Sequence, residues 1–330
     1  MPEVRYSAAI NRALGDAMEA DPLVILIGED VAKPGGAFAV TRGLLDRFGP
    51  QRVRDTPISE AAITGAAVGA AMSGLKPVVE IMFMDFVTFA MDAMVNQGAK
   101  AHFMFGGQCN VPMVLRTQHG GGLSAGPQHS QCLEAWFAHV PGLKVAVPST
   151  VADAYALLRA AIEDPNPVIF VENKALYGTK GELGAKPDSV RLGSARLARP
   201  GKDATIVAYG AVVGLALSGA DELARHGIDV EVIDLRSIQP WDRECVLASV
   251  RRTGRLVVAH EAVRDFGVGA EIAAFVGEHA FASLQAPVMR VGAEFSPVPF
   301  APSLERVCLP TASRIADAVR NAMQYSTSTS

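Results

Sequence analysis

Short runs of branched apolar residues alternate with segments of helical period along almost the whole chain. No other sequence feature constrains the fold as strongly. Leu23–Gly28 (LVILIG), Pro77–Phe83, Pro112–Arg116, Gly142–Val147 and Pro167–Glu172 (PVIFVE) read as strands buried on both faces. Ser7–Ala20, Asp85–Ala101 and Val151–Glu163 read as helices around them. Repeated β–α alternation predicts an α/β fold with a doubly wound, mainly parallel sheet. Between Gly181 and Asp203 the pattern lapses into Gly, Pro and charged residues. It then restarts with strands Thr205–Tyr209, Val230–Leu235, Leu256–His260 and Val288–Val291, separated by a helix running to His226, then Trp241–Arg251 and Val268–His279. We therefore expect a first domain over 1–185, a linker over 186–203 and a smaller α/β domain over 204–330. A length of 330 residues suits two cores better than one.

The composition removes several classes of function. Hydrophobic residues make up 49% and charged residues 19%, an apolar balance that suggests surface buried against partners. The net charge is −4 with no basic stripe, which argues against nucleic acid. No apolar run reaches membrane-spanning length. The start, MPEVRYSAAINRAL, lacks the apolar centre of an export signal, so the expected location is cytoplasmic. Cys109, Cys132, Cys245 and Cys308 are scattered without a CxxC, consistent with reduced thiols rather than disulfides or a zinc framework. The polar tail Ser326–Ser330 is expected to be disordered.

Candidate chemistry gathers in three places. In Asp55–Met84 (DTPISEAAITGAAVGAAMSGLKPVVEIMFM), Ser59 is a suitable helix N-cap and Glu60 opens a helix of small residues containing Gly65 and Gly69. Two mid-helix glycines cost about 1 kcal/mol each relative to alanine, which is reasonable where another backbone or a ligand approaches closely. A plain Ala-rich helix with a first-turn Glu accounts for the same pattern. Glu29 stands at the carboxyl end of the Leu23–Gly28 strand, where ligands collect in open α/β sheets; a solvated turn carboxylate is the alternative. The loop AKPGGAFAV that follows is flexible by composition. His129, in GPQHSQ after a glycine-rich loop, has a residue type suited to proton transfer near neutral pH. His119 reads as a loop residue, and Phe83, Phe86 and Phe89 read by default as core. Phe266-Gly-Val-Gly lacks the third glycine and the downstream acid of a dinucleotide loop.

Glu60-x4-Gly65-x3-Gly69 resembles the glutamate motif of thiamine diphosphate enzymes. With DTPISE, AAVGAAMSGLKPVVEIMFMDF and GPQHSQC (Gly126–Cys132), the chain resembles the beta subunit of the decarboxylating first component of 2-oxo acid dehydrogenase complexes, pyruvate or acetoin type. The similarity runs from about Tyr6 to about Met323. It implies a pyrimidine-binding fold followed by a domain of transketolase C-terminal type.

By that resemblance, Glu60 shares a proton with the aminopyrimidine ring of thiamine diphosphate. A water-poor setting would raise its pKa for this task. Met82 and Phe86 cradle the ring, and His129 handles protons near the thiazolium; Glu29, from its place at a strand end, is expected to bind the cofactor with them. The resemblance also maps a potassium site onto Met113, Ala161, Ile162, Asp164 and Asn166; an ordinary Asp-Pro-Asn turn fits those residues equally.

A Gly-Asp-Gly stretch for Mg2+ and the diphosphate is missing, since Gly15-Asp16 is followed by Ala inside a helix. The resemblance therefore implies an alpha subunit that holds Mg2+ and the diphosphate, in an assembly of two alpha and two beta chains. It implies lipoyl transfer to a dihydrolipoyl acyltransferase core, with the second domain, including Asp234–Pro240, serving pairing and docking. The substrate the resemblance implies is a 2-oxo acid, pyruvate foremost, with acetoin or a branched-chain 2-oxo acid as the alternatives. GPQHSQC leans to the pyruvate or acetoin type over the branched-chain type, and MFMDF pulls toward acetoin. A single-chain transketolase-like enzyme and a non-catalytic partner on the same fold are the competing readings.

Overall fold

The computed structural model describes residues 3–185 and 187–325. The tail expected to be disordered, Ser326–Ser330, lies outside them. The described chain forms two units. The first takes residues up to Gly120 together with Gln128–Leu192, and the second takes Gly121–Pro127 together with residues from Gly193 onward.

In the first unit six parallel strands lie in the order Lys144–Ala146, Val168–Asn173, Val114–His119, Lys76–Ile81, Val24–Gly28, Val53–Asp55. Their apolar runs are buried, as the branched composition demands. On one face the helices Tyr6–Ala20 and Val151–Glu163 pack together over Val24, Leu26, Val114 and Phe170. The helix Glu60–Met72 packs on Lys76–Ile81 and on the segment after Met84. Glu3–Arg5 and Lys180–Glu182 add a small antiparallel ribbon. The expected helix over Asp85–Ala101 is instead a 3-10 segment (Met84–Ala90), a π-helical turn (Asp92–Gly98) and a short α-helix (Ala99–Met104). The regular spiral yields here because its first residues are engaged elsewhere. Asp85 Oδ1 accepts from Gln131 Nε2 (2.9 Å), and Met84 Sδ accepts from Leu133 N (3.0 Å).

The interior of this sheet holds a charge network. Arg116, fully buried, donates to Glu80 Oε2 (2.6 Å) and to both oxygens of Glu172 (2.7 and 2.9 Å). Tyr177 Oη donates to the same Glu172 carboxylate at 2.6 Å. Burial pushes the Glu172 carboxyl up despite Arg116 and pushes the Tyr177 phenol far up. Burial works against the Arg116 charge, but Glu172 and Glu80 outweigh it and hold the guanidinium above its usual range. One cation thus joins three neighbouring strands.

The second unit has strands in the order Met289–Ala293, Leu256–Val263, Ala204–Ala208, Val230–Asp234, all parallel, with Arg196–Arg199 antiparallel at the edge. Val212–Ala224 and Ala312–Gln324 cover one face, and Gly219 lets the second of these approach closely: a Cβ there would lie 3.0 Å from the Ala312 carbonyl oxygen. The Gly-Val-Gly run has a packing cause. A Cβ on Gly267 or Gly269 would come within 2.6–2.9 Å of the buried His260 ring, which stacks on Tyr209.

Arg116→Met is expected to leave two buried carboxylates without their cation and to cost about 3–5 kcal/mol. Denaturant unfolding measures this, and a loss below about 1 kcal/mol would contradict the network's role.

Candidate active site

The chain passes from Val24–Gly28 outward to the edge strand Val53–Asp55, then crosses back to Lys76–Ile81 on the other side. Winding reverses there, and open α/β sheets place ligands at the carboxyl ends of strands beside such a reversal. Gly28 pairs with Asp55 on one side and Glu80 on the other. Glu29, the Glu60 helix and the Met82–Phe86 segment therefore leave the same edge of the sheet.

Glu60 is the first residue of its helix and is half-buried. Ser59 occupies the cap position, but its hydroxyl makes no capping bond; its carbonyl accepts from Ile63 N at 2.9 Å. The expected cap is corrected to a backbone one. Ile63, Thr64, Ala67, Val68 and Ala71 are buried, whereas Ala61, Ala62, Gly65, Ala66 and Gly69 are exposed. A Cβ on Gly65 or Gly69 would meet nothing within 4 Å. The small residues thus leave an open face rather than a close approach within this chain. Beside Glu60, the Glu29 carboxyl is held above the usual carboxylate range by burial, then by the charges of Asp30 and Glu60.

Strand Lys76–Ile81 ends in Met82 and Phe83, both half-buried. Phe83 has φ 65°, a region costly for a bulky side chain. Its N–H donates to Gln118 Oε1 (3.1 Å), which secures the turn. The His129 ring meets Phe83 edge-on at 4.7 Å and Phe86 edge-on at 5.4 Å. Lys174 Nζ donates to the His129 carbonyl and lies 5.1 Å from the Phe83 ring centre. Gln118 Nε2, Asp85 Oδ2 and Ser130 Oγ are buried with no hydrogen-bond partner among the described residues. A half-exposed aromatic wall, a histidine against it and nearby unsatisfied polar atoms fit a flat heteroaromatic ligand with polar edges. Phe86, expected at the cofactor from the family resemblance and otherwise read as core, is half-buried with its ring against His129. Phe89, read as core, is 64% exposed.

The loop AKPGGAFAV is closed by bonds from Gly36 N to Asp30 (2.7 Å) and Thr41 N to Gly35 (2.9 Å). Its glycines admit close packing, since a Cβ on Gly35 would lie 2.8 Å from the Arg42 backbone. Gly15-Asp16 lies inside the helix Tyr6–Ala20, with Gly15 buried and Asp16 partly exposed. A Cβ on Gly15 would strike Arg47, and Asp16 accepts from Tyr155 Oη at 2.8 Å.

Met113, Ala161, Ile162, Asp164 and Asn166 gather around a helix-ending turn. The Asp164 carboxylate is already engaged by Lys144 Nζ and by Asn166 N. The Met113 carbonyl accepts from Val168 N and the Ala161 carbonyl from Asp164 N. Lys144 supplies the charge that potassium would bring, so these donors do not fit that ion as placed.

Sequence reading missed Phe83, Gln118 and Lys174 as site neighbours. Polar residues directly after a buried run, as in Val168–Asn173 followed by Lys174, were the available signal. His119 is corrected from loop to strand end: it closes Val114–His119, is buried, and has Nδ1 3.2 Å from Glu134 Oε2. The glycine-rich run 121–127 belongs to the second unit. There Glu261 accepts from Gly121 N (2.6 Å) and Glu305 from Gly122 N (2.7 Å).

A raised Glu29 pKa means that folding favours its protonated form. The resulting penalty is absent below the unfolded value of about 4.5 and grows as pH rises through the folded one. Glu29→Gln should therefore raise the thermal midpoint at about pH 7 and leave it unchanged near pH 4. Equal midpoints at both pH values would refute the assignment.

Residues 2–180 match the family profile described as transketolase, pyrimidine binding domain, and 193–315 match transketolase, C-terminal domain. The chain is 48% identical over 324 residues to the mitochondrial pyruvate dehydrogenase E1 component subunit beta-2 of Oryza sativa subsp. japonica, covering 97% of this chain and 86% of that one. It is 47% identical to the pyruvate dehydrogenase E1 component subunit beta of Rhizobium meliloti (97% and 70% covered). It is 44% identical to the acetoin:2,6-dichlorophenolindophenol oxidoreductase subunit beta of Cupriavidus necator (96% of each). A solved split-gene transketolase, described as an inactive beta4 tetramer, superposes with TM-score 0.81 at 25% identity, over 97% of this chain and 98% of that one. The carboxylate and aromatic groups at the winding reversal thus sit within the matched pyrimidine-binding domain, a matched transketolase C-terminal domain follows, and the chain belongs to the family of beta subunits of 2-oxo acid dehydrogenase first components, pyruvate and acetoin dehydrogenase type.

Proposed function

We propose that this chain supplies the pyrimidine half of a thiamine diphosphate site in an enzyme that oxidatively decarboxylates a small 2-oxo acid, pyruvate first, and passes the acyl group to lipoyl groups of an acyltransferase core. One observation carries the reading. Glu29, Glu60, Phe83, Phe86 and His129 collect at one sheet edge, while Gly15-Asp16 lies inside the helix Tyr6–Ala20 with the Asp16 carboxylate taken by Tyr155 and Arg12. An alpha subunit then holds the diphosphate and its Mg2+, in an assembly of two alpha and two beta chains. Exposed Ile58, Met72, Phe89 and Phe103–Phe105, with the open small-residue face of the Glu60 helix, are surface suited to partner chains. The free cysteines are compatible with the reducing cytoplasm we propose as its location.

When bound, thiamine diphosphate supplies the nucleophilic carbon and the electron sink that the loss of carbon dioxide requires. Glu60 Oε would hydrogen-bond the aminopyrimidine ring nitrogen. Glu29, its carboxyl held above the usual range by burial and by the charges of Asp30 and Glu60, stands beside it. Met82, Phe83 and Phe86 exclude water from the ring. The His129 imidazole, held edge-on by two rings, moves protons at the reacting group. Acetoin is a second reading for the substrate, supported by the likeness to the Cupriavidus necator subunit and by MFMDF in Met82–Phe86.

The chain purified alone is expected not to bind thiamine diphosphate by calorimetry and to bind it once an alpha subunit is added; tight binding by the isolated chain would sink the proposal. In the reconstituted enzyme, Glu60→Gln and His129→Ala are each expected to lower turnover about 100-fold or more with unfolding midpoints unchanged. Near-normal turnover in either variant would remove that residue from the mechanism. Comparing pyruvate, acetoin and branched 2-oxo acids on the same enzyme decides the substrate.

A further inference from the structure

His119, Cys132 and Glu134 place an imidazole nitrogen, a thiol sulfur and a carboxylate oxygen within 4.8 Å of one another. The imidazole and carboxylate are buried and 3.2 Å apart, and Cys132 is half-buried. The frame beneath them is set by independent contacts. The parallel pairing of His119 with Asn173 places the strand end. The bonds of Leu133 N to Met84 Sδ and of Gln131 to Asp85 place the segment that carries Cys132 and Glu134.

We propose that these three residues bind one divalent transition-metal ion, zinc by preference. A thiolate and an imidazole together select zinc-like ions over magnesium or calcium, which prefer oxygen donors alone. Zinc–ligand bonds of about 2.0–2.3 Å around a tetrahedron put neighbouring donors about 3.3–3.8 Å apart. The imidazole–carboxylate pair is already close to that spacing. The thiol has to close by about 1 Å at most, one side-chain rotation. Three protein donors leave a fourth position for water, and half-buried Cys132 gives the ion a way in. The ion would join the end of the Val114–His119 strand to the segment that carries His129 three residues before Cys132. Neither Glu60 nor the turn at Asp164 is part of this site.

Titration of the reduced, metal-free full chain with Co2+ tests it. The expected result is one bound equivalent, with visible bands of a four-coordinate ion and a near-ultraviolet thiolate-to-cobalt band, both displaced by zinc. Cys132→Ser should abolish the thiolate band, and His119→Asn should weaken cobalt binding by about 10-fold or more. Cys109→Ser and Cys245→Ser should leave the spectrum unchanged. Absence of the thiolate band in the native chain overturns the proposal, as does a band that survives Cys132→Ser and disappears with Cys109→Ser or Cys245→Ser. Alkylation of the native chain, read by peptide mass spectrometry, needs no substitution: zinc should protect Cys132, and equal labelling with and without zinc overturns the site.

Discussion

Arg116 holds the first unit's sheet together at the point where the site begins. Its guanidinium bridges Glu80 and Glu172 on the two flanking strands, with all three side chains shut off from solvent. Two carboxylates face one cation; burial, with the Glu80 charge adding to it, keeps the Glu172 pKa raised, and Tyr177 donates a further bond to Glu172. Such a cluster contributes little net stability compared with apolar packing, because desolvation offsets most of the attraction. What it provides is position. The strand of Glu80 leads into Met82 and Phe83, that of Arg116 ends with Gln118 and His119, and that of Glu172 ends at Asn173 just before Lys174. Fixing the three strands against one another fixes the three ends that surround His129.

Beyond those ends the backbone departs from regular structure where side chains are most engaged. Phe83 takes a left-handed conformation, and the segment after it runs through 3-10 and π-helical turns before it settles. Irregular helix of this kind is frequent at functional sites. Here it turns Phe83 and Phe86 so that both rings meet the His129 imidazole edge-on. The neighbouring helix shows the opposite economy. Its buried face is packed normally, while its outward face is nearly bare of side chains, and bare backbone is what another helix can approach closely.

Much of this was legible before folding. The alternation of LVILIG-type runs with helical segments announced parallel sheets, since strands buried on both faces need continuous branched apolar residues. Val151–Glu163 appears with the expected bounds. Glu29 was visible as a carboxylate at the end of such a run, Glu60 as the first residue of a small-residue helix and His129 as a histidine after a glycine-rich loop, whereas Met82 and Phe86 came from the family resemblance alone. Other readings failed for definite reasons. The strand expected over Pro112–Arg116 runs from Val114 to His119, because its last residues, Thr117, Gln118 and His119, look polar but pair with Val171, Glu172 and Asn173 in the middle of a sheet. Asp85–Ala101 reads as a helix by period, but periodicity carries no record of Gln131 and Leu133, more than forty residues away, bonding to Asp85 and Met84.

Local order along the chain determined which residues can form strands and helices, the class of sheet they build, and the chemistry available at each strand end. Period and composition act over a few residues, and the chain states them directly. Only the tertiary structure decided that Phe83 rather than Phe89 faces His129, that Lys144 reaches Asp164, and that His119 meets Glu134. Each of these depends on groups distant in sequence being brought within a few ångströms, and short-range packing and hydrogen bonding exist only once the sheet has set those distances.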